Sequence, residues 1–205
     1  MAKTRQTDTG VLEKLQERLI TPDVGTTPAI VLTNPKFGRN LSATLRACSC
    51  FGVKQMWWTG DRVQFDETKK GQRLPREERM KGYSNVELCH GEYFFDAFTD
   101  AVPVAVEFRP NSELLPEFEH PENAVYIFGP EDGTIGRKTL QHCHRFLTIP
   151  SHHCLNLAAA VYVTLYDRVS KLGLPEAELS GTPASGDIII PEITGVEGEI
   201  GSVIG

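Results

Sequence analysis

The sequence has no run of about 20 uninterrupted apolar residues, so no membrane-spanning helix is predicted. Its first twelve residues also lack the apolar stretch of a secretory signal peptide. No Cys-x-x-Cys spacing occurs among the five cysteines, and an odd number of thiols in such a chain suggests that they stay reduced. These absences predict a cytoplasmic globular protein, and 205 residues suffice for one α/β domain.

Positive charge is not in surplus either, because 21 Lys and Arg residues face 27 Asp and Glu residues. Six acidic residues and no basic one lie between Glu176 and Gly205, which leaves residues 1–175 with 21 residues of each sign. Within that neutral part, cations are concentrated between residues 69 and 81. Such a patch can bind phosphate groups, although a solvated loop would have the same composition. Four of its residues are called the basic segment below: Lys69, Lys70, Arg73 and Arg76.

Short apolar runs alternate with helical periodicities along the chain. This pattern is typical of an α/β domain with a mainly parallel sheet and helices on both faces. Strands are predicted at residues 29–33, 53–58, 102–107, 124–128 and 145–149, and helices at 41–51, 93–98 and 155–169. A further short helix is predicted through Val11, Leu12, Leu15 and Leu19. We divide the chain into an N-terminal helix and linker (1–28), one domain (29–175) and an acidic tail expected to be flexible (176–205).

Three predicted strands end in polar turns that lead into helices. The first turn contains Asn40, placed to cap the helix on which Arg46 lies; the second contains Gly129 and Glu131; the third precedes Asn156. Taken singly, each turn is equally well explained as a plain cap or a tight structural turn. Ligands of open α/β sheets bind beyond the carboxyl ends of the strands, so the three turns together predict one shared crevice.

Other kinds of site fit the sequence less well. The segments His142–His144 and His152–Cys154 contain possible zinc ligands, but adjacent residues on a strand point to opposite faces and no metal-binding spacing occurs. Cys154 beside His153 would need a third, orienting group to act as a nucleophile, and none can be named. The glycines after residue 128 have neither the dinucleotide-binding nor the phosphate-loop spacing. No metal site is predicted.

The three turns, in this order, resemble the signature motifs of the SpoU family of RNA 2′-O-ribose methyltransferases, within the SPOUT superfamily. Asn40 and Arg46 resemble the first motif, Phe128–Glu131 the second, and Ile149-Pro150 with Leu155-Asn156-Leu157 the third. The resemblance runs from about residue 29 to residue 168. The chain departs from it at Cys154, where the family usually has serine, and in a shorter loop before that cysteine.

The resemblance implies a C-terminal trefoil knot, S-adenosylmethionine as methyl donor and an active site built by two subunits. It implies a cofactor pocket lined by Glu107, Gly129, Ile149, Cys154 and Leu155. Arg46 would lie near the reacting ribose hydroxyl, as a base or as a phosphate ligand, with Asn40 and Glu131 orienting it. Asn156 would fix the third loop, and no metal is required.

The resemblance also implies the partners. Only about 28 residues precede the first predicted strand, too few for an added RNA-binding domain, so tRNA is preferred over rRNA as substrate. The basic segment would then contact the RNA backbone, and the apolar helix at 155–169 would lie in a homodimer interface. The rival hypothesis is a non-catalytic RNA-binding protein that retains the fold, which S-adenosylmethionine binding would distinguish. A Rossmann-like methyltransferase is disfavoured because residues 34–40 contain one glycine.

Overall fold

A computed structural model describes residues 19–20, 24–63 and 85–174 of the chain. Eight strands form one sheet within these residues, and every described strand pair is parallel. In chain order they are β1 (Leu19–Ile20), β2 (Ala29–Leu32), β3 (Gln55–Trp58), β4 (Glu87–His90), β5 (Val102–Val106), β6 (Glu113–Leu114), β7 (Ala124–Phe128) and β8 (Arg145–Thr148). The predicted parallel α/β architecture is confirmed.

The strands lie side by side in the order β1-β4-β3-β2-β7-β5-β8-β6. From β2 the chain moves outward through β3 and β4, and it then crosses to the other half of the sheet for β5 to β8. Strands β2 and β7 are therefore neighbours whose following segments diverge to opposite sides. Such a point in an open parallel sheet leaves a crevice beyond the carboxyl ends of the strands.

Helices lie on both faces of the sheet, as predicted. Helices α1 (Gly38–Cys50) and α3 (Leu157–Leu172) pack against each other on one face. The other face carries the short helix α2 (Arg137–Leu140) and a 3₁₀ turn (Phe94–Ala97), and a second 3₁₀ turn is formed by Leu115–Glu117. Side chains alternate between the faces along each strand, so β2 contributes to both apolar cores.

All five predicted strands are confirmed to within two residues, and the two long helices to within three. Gly52 and Gly173, which follow these two helices, adopt positive φ angles of 73° and 84°, as is common where a helix ends. The helix predicted at 93–98 is a 3₁₀ turn. Leu19 lies in β1 and not in a helix, because it pairs with β4. Strand β4 itself was not predicted, because it follows the long polar stretch that begins after residue 59. Strand β6, two residues long, was also missed, whereas the helix predicted after the second motif turn is present as α2.

Several predictions fall outside the described residues: the helix before Leu19, the basic segment and the tail from residue 176. The trefoil knot and the division into domains stay predictions. Within the described ranges, no helix combines the length and the apolar character needed to cross a membrane.

Candidate active site

The loops that follow four neighbouring strands meet at the carboxyl edge of the sheet. These strands are β2, β7, β5 and β8, and they carry the first motif turn, the second motif turn, Glu107 and the third motif turn. Neighbouring strands are about 4.8 Å apart, so the four loops emerge along roughly 14 Å of one edge. The convergence predicted from the sequence is therefore present.

Asn40 and Glu131 connect the first two motifs directly. Asn40 is buried, and its Nδ2 donates a hydrogen bond of 2.7 Å to Oε1 of Glu131. The sequence predicted instead that Asn40 caps the helix, and that prediction is wrong. Helix α1 begins at Gly38, its N-cap residue is Phe37 without a side-chain cap bond, and Asn40 lies within the first turn.

Glu131 takes the place of the missing cap. Its carboxylate accepts hydrogen bonds from the backbone N–H of Lys36 (2.7 Å) and of Phe37 (3.2 Å), just before the first turn of α1. A negative group at this end of a helix also interacts favourably with the helix dipole. Partial burial works to raise the pKa of the Glu131 carboxyl, but the bonds from Asn40 and the backbone outweigh it and lower that pKa. Glu131 is held as an anion.

Asn156 brings in the third motif. It is the N-cap residue of α3, and its Oδ1 accepts hydrogen bonds from the backbone N–H of Ala158 (3.0 Å) and Ala159 (3.3 Å). Its Nδ2 donates to Oδ1 of Asn40 over 3.0 Å. A continuous hydrogen-bonded chain, Glu131–Asn40–Asn156, thus joins all three motifs, and three of the four predicted catalytic residues touch one another.

Arg46, the fourth, lies on α1 six residues beyond Asn40. Six residues correspond to about 9 Å along a helix and about 120° around it. The buried residues of α1 include Asn40, Leu41, Thr44, Leu45 and Cys48, and half-buried Arg46 projects from the opposite side of the helix. Arg46 therefore faces away from the layer between α1 and the sheet.

Glu107 and Gly129, two predicted cofactor residues, pack around the same backbone segment. Oε2 of Glu107 accepts a hydrogen bond of 3.2 Å from the N–H of Ile135, in the second motif loop. A Cβ placed on Gly129 would lie 3.1 Å from that same nitrogen, so the loop folds back too closely for a larger residue to fit without a shift. This contact holds the loops after β5 and β7 together.

The other three predicted cofactor residues, Ile149, Cys154 and Leu155, lie in the third motif loop. Ile149 packs partly against the core, whereas Cys154 and Leu155 are exposed. No group in the described ranges accepts a hydrogen bond from the backbone N–H groups of residues 151–155. These backbone N–H groups can donate to polar groups of S-adenosylmethionine, and the neighbouring apolar side chains can pack against the face of its adenine ring, so these residues fit that cofactor.

A charged clamp at this edge was missed by the sequence reasoning. The guanidinium of Arg62, after β3, makes two hydrogen bonds to Asp132 (2.7 and 3.1 Å) and also donates to the carbonyl of Asn34. Lys36 pairs with Asp132 over 3.5 Å. The hydrogen bond from Arg62 is the main cause that lowers the pKa of Asp132. The only signal in the sequence was Asp132 itself, next to Glu131.

The predicted RNA-binding residues, the basic segment, lie outside the described residues. No group of three or more His, Cys, Asp or Glu side chains is arranged to hold a metal ion in the part of the chain that the structure describes. His142–His144 and His152–Cys154 belong to that part.

The fold and the site define a class: an α/β protein with a parallel sheet and a ligand site built from strand-to-helix turns at the switch point. The sequence matches the SpoU rRNA methylase family over residues 27–166, more than half of the chain. The chain belongs to this family of RNA methyltransferases, within the SPOUT superfamily, as the motifs predicted. SpoU methylases use S-adenosylmethionine, which is the predicted cofactor.

Solved structures support the fold. The SpoU methyltransferase AviRb from Streptomyces viridochromogenes, in complex with AdoMet, is 15% identical with a TM-score of 0.56; the alignment covers 76% of this chain and 60% of AviRb. The A. aeolicus TrmH/SpoU tRNA modifying enzyme is 18% identical with a TM-score of 0.57, covering 81% and 86%. A structure concerning 2-OH methylation of C/U34 on tRNA is 24% identical with a TM-score of 0.53, covering 70% and 95%. No curated protein matches the sequence.

Proposed function

We propose that the protein is a cytoplasmic, S-adenosylmethionine-dependent RNA 2′-O-ribose methyltransferase that acts on tRNA in preference to rRNA. The observation that carries this proposal is the Glu131–Asn40–Asn156 chain, because it joins the three motifs of the family by bonds of 2.7 and 3.0 Å. Asn40 is buried, and its side-chain amide is paired with the second motif through Nδ2 and with the third motif through Oδ1.

Glu107, Gly129, Ile149, Cys154 and Leu155 are the residues proposed to hold the cofactor, which supplies the electrophilic methyl group. The fixed approach of Gly129 to Ile135 and the free N–H groups of residues 151–155 support this assignment. With the electrophile supplied, the protein must align a ribose 2′-hydroxyl with it and remove the hydroxyl proton.

Arg46 is proposed to act at the ribose hydroxyl. A guanidinium is protonated at ordinary pH, so it is better suited to contact a phosphate or a developing negative charge than to accept a proton. Because Arg46 projects from the outer side of α1, its proposed target is a substrate between this helix and a second copy of the chain. This geometry supports the proposed homodimer, as do the exposed apolar residues Val163 (39%) and Tyr166 (66%) on α3.

The preference for tRNA rests on the basic segment and on the relatives. The A. aeolicus relative is described as a tRNA modifying enzyme, and a second relative concerns methylation of C/U34 on tRNA. The family description, in contrast, refers to rRNA. The choice between the two RNAs is therefore the first thing to measure.

The test is to incubate the purified protein with labelled S-adenosylmethionine and total RNA from a strain that lacks the protein. Label is expected in tRNA, at a nucleotide that resists alkaline cleavage, because a methylated 2′-oxygen cannot attack the adjacent phosphate. Label on a base would refute the ribose assignment, and label in rRNA alone would refute the tRNA preference. S-adenosylmethionine binding without any transfer to RNA would favour the non-catalytic alternative.

A further inference from the structure

Phe108 is an exposed aromatic residue at the edge of the proposed cofactor pocket. Its side chain is 87% exposed, whereas the other eight phenylalanines of the described ranges are buried or half-buried. It directly follows Glu107, whose carboxylate is bonded to the second motif loop. The ring therefore lies outside both apolar cores, on the loop that leaves β5 at the carboxyl edge of the sheet.

The backbone around Phe108 is fixed on both sides. Glu107 donates its N–H to Leu147 (2.9 Å), and its carbonyl accepts hydrogen bonds from Thr148 (2.8 Å) and Ser112 (3.1 Å). The carbonyl of Arg109 accepts the N–H of Ser112 over 3.1 Å. The exposed ring is thus presented by an anchored loop, and little conformational entropy would be lost when a ligand binds it.

A cation in the same loop indicates the kind of ligand. The guanidinium of Arg109, the next residue along the chain, lies 4.7 Å from the centroid of the Phe146 ring, and this contact holds a positive charge within the loop that carries Phe108. An exposed aromatic face beside a fixed cation is the combination that binds single-stranded nucleic acid, since the ring stacks on a base and the cation attracts phosphate.

We propose that Phe108 stacks on a base of the RNA substrate next to the reacting ribose and so determines how the substrate is positioned. This inference rests on the proposed function, because it assigns a substrate contact to the same site. The competing occupant of the ring is the adenine of the cofactor, and the experiment below separates the two.

The variants are Phe108→Ala, Phe108→Leu and Phe108→Trp, with Tyr93→Ala as a matched control. Tyr93 is 82% exposed and follows β4, four strands from β5 in the sheet, which is roughly 19 Å away along the same edge. The readouts are kcat/KM for methyl transfer to total RNA and the Kd of S-adenosylmethionine. All the substituted side chains are exposed, so the fold is expected to be retained.

Phe108→Ala and Phe108→Leu are expected to lower kcat/KM for RNA by roughly 5- to 150-fold, the range that stacking one base on an aromatic ring supplies. Phe108→Trp and Tyr93→Ala should stay near the wild-type value, and the Kd of S-adenosylmethionine should be unchanged in all variants. Wild-type activity in Phe108→Ala or Phe108→Leu would overturn the proposal. A comparable weakening of cofactor binding in Phe108→Ala would also overturn it, in favour of the adenine.

Ultraviolet cross-linking of the wild-type protein to total RNA in the presence of S-adenosylhomocysteine gives a readout that does not need catalysis. A nucleotide adduct on the peptide containing Phe108 is expected, and its absence from that peptide would contradict the stacking. If the adduct forms while the wild type transfers no methyl group, the proposed function fails and the contact stands. If methyl transfer occurs without the adduct and without an effect of Phe108→Ala, the proposed function stands and the Phe108 contact is refuted.

Discussion

Replacing Asn40 by aspartate tests the connection between the motifs most directly. Asn40→Asp keeps the shape of the side chain and keeps an oxygen that can accept the hydrogen bond from Asn156. It removes only the Nδ2 donor, which lies 2.7 Å from Glu131, and it sets a second carboxylate against the first. The substitution therefore acts on one hydrogen bond of the chain.

The size of the effect follows from that bond. A hydrogen bond to a charged group contributes about 1.5–3 kcal/mol, and the half-buried position of Glu131 puts the estimate near 2 kcal/mol at neutral pH. For a domain of this size, a loss of about 2 kcal/mol corresponds to a decrease in Tm of roughly 4–8 °C.

The stability of each protein should also depend on pH, and the dependence should have opposite signs in the wild type and in Asn40→Asp. In the wild type the pKa of Glu131 is lowered, so its ionised form stabilises the fold above about pH 4.3 and this contribution is lost as pH falls through the folded pKa. In Asn40→Asp two adjoining carboxylates raise the pKa of one of them. That group stabilises the fold at low pH and loses its contribution as pH rises, so the stability difference between the proteins should shrink towards pH 4.

Urea unfolding of both proteins between pH 4 and pH 8 measures this difference. Asn111→Asp is the matched control, because Asn111 is exposed in the turn after β5 and the same chemical change there should alter stability by under about 0.5 kcal/mol. A difference between wild type and Asn40→Asp that is constant across this pH range would show that Asn40 and Glu131 do not interact as an ionic hydrogen bond.

The remaining predictions concern the proposed chemistry and partners. Arg46→Ala and Arg46→Lys should each lower methyl transfer at least about 100-fold, while the Kd of S-adenosylmethionine measured by calorimetry stays nearly unchanged. The matched control Cys154→Ser should stay active. Near wild-type turnover in Arg46→Ala would refute the catalytic centre assigned to this residue. Neutralising the whole basic segment should reduce by about 3 the slope of the log association constant for RNA against log salt concentration. An unchanged slope would show that the basic segment is only a solvated loop. Sedimentation should give about twice the 22.7 kDa chain mass, and a stable, active monomer would rule out the shared site.

The sequence was sufficient to predict where the site lies. Parallel strands end at one edge, so polar turns after β2, β7 and β8 had to converge there, and Asn40, Glu131 and Asn156 do meet. The bonding pattern could not be predicted in the same way. Periodicity started α1 at residue 41, but the helix starts at Gly38, and this shift moves Asn40 from a capping position into the first turn.

Contacts between distant, exposed residues left no pattern in the sequence. Arg62 and Asp132 are 70 positions apart, and neither belongs to a periodic segment. Glu107 was placed in the pocket by resemblance, but its bond to the N–H of Ile135 depends on how the second motif loop folds back over Gly129. Such contacts depend on loop conformation, which hydrophobic periodicity does not report.

Helix α3 has buried polar contacts that were not predicted, and these contacts affect how the helix is positioned at the site. It was predicted as nearly all apolar, yet its buried side includes Arg168, which donates to the hydroxyl of Tyr126 (3.2 Å) and to the carbonyl of Pro121 (2.6 Å). Burial lowers the pKa of His120, against the opposing effect of Asp167, to which it is hydrogen-bonded over 2.8 Å.

This polar network lies near the end of α3 that is remote from the motif turns. Buried polar groups are costly unless every partner is in place, so the network is compatible with one docking position of α3 against the sheet. A shift of α3 by one turn would move Arg168 by about 5.4 Å and leave its donors without acceptors. The same shift would separate Asn156 from Asn40 at the other end of the helix. The network thus sets the register of α3, and through it the position at which the third motif meets the first two.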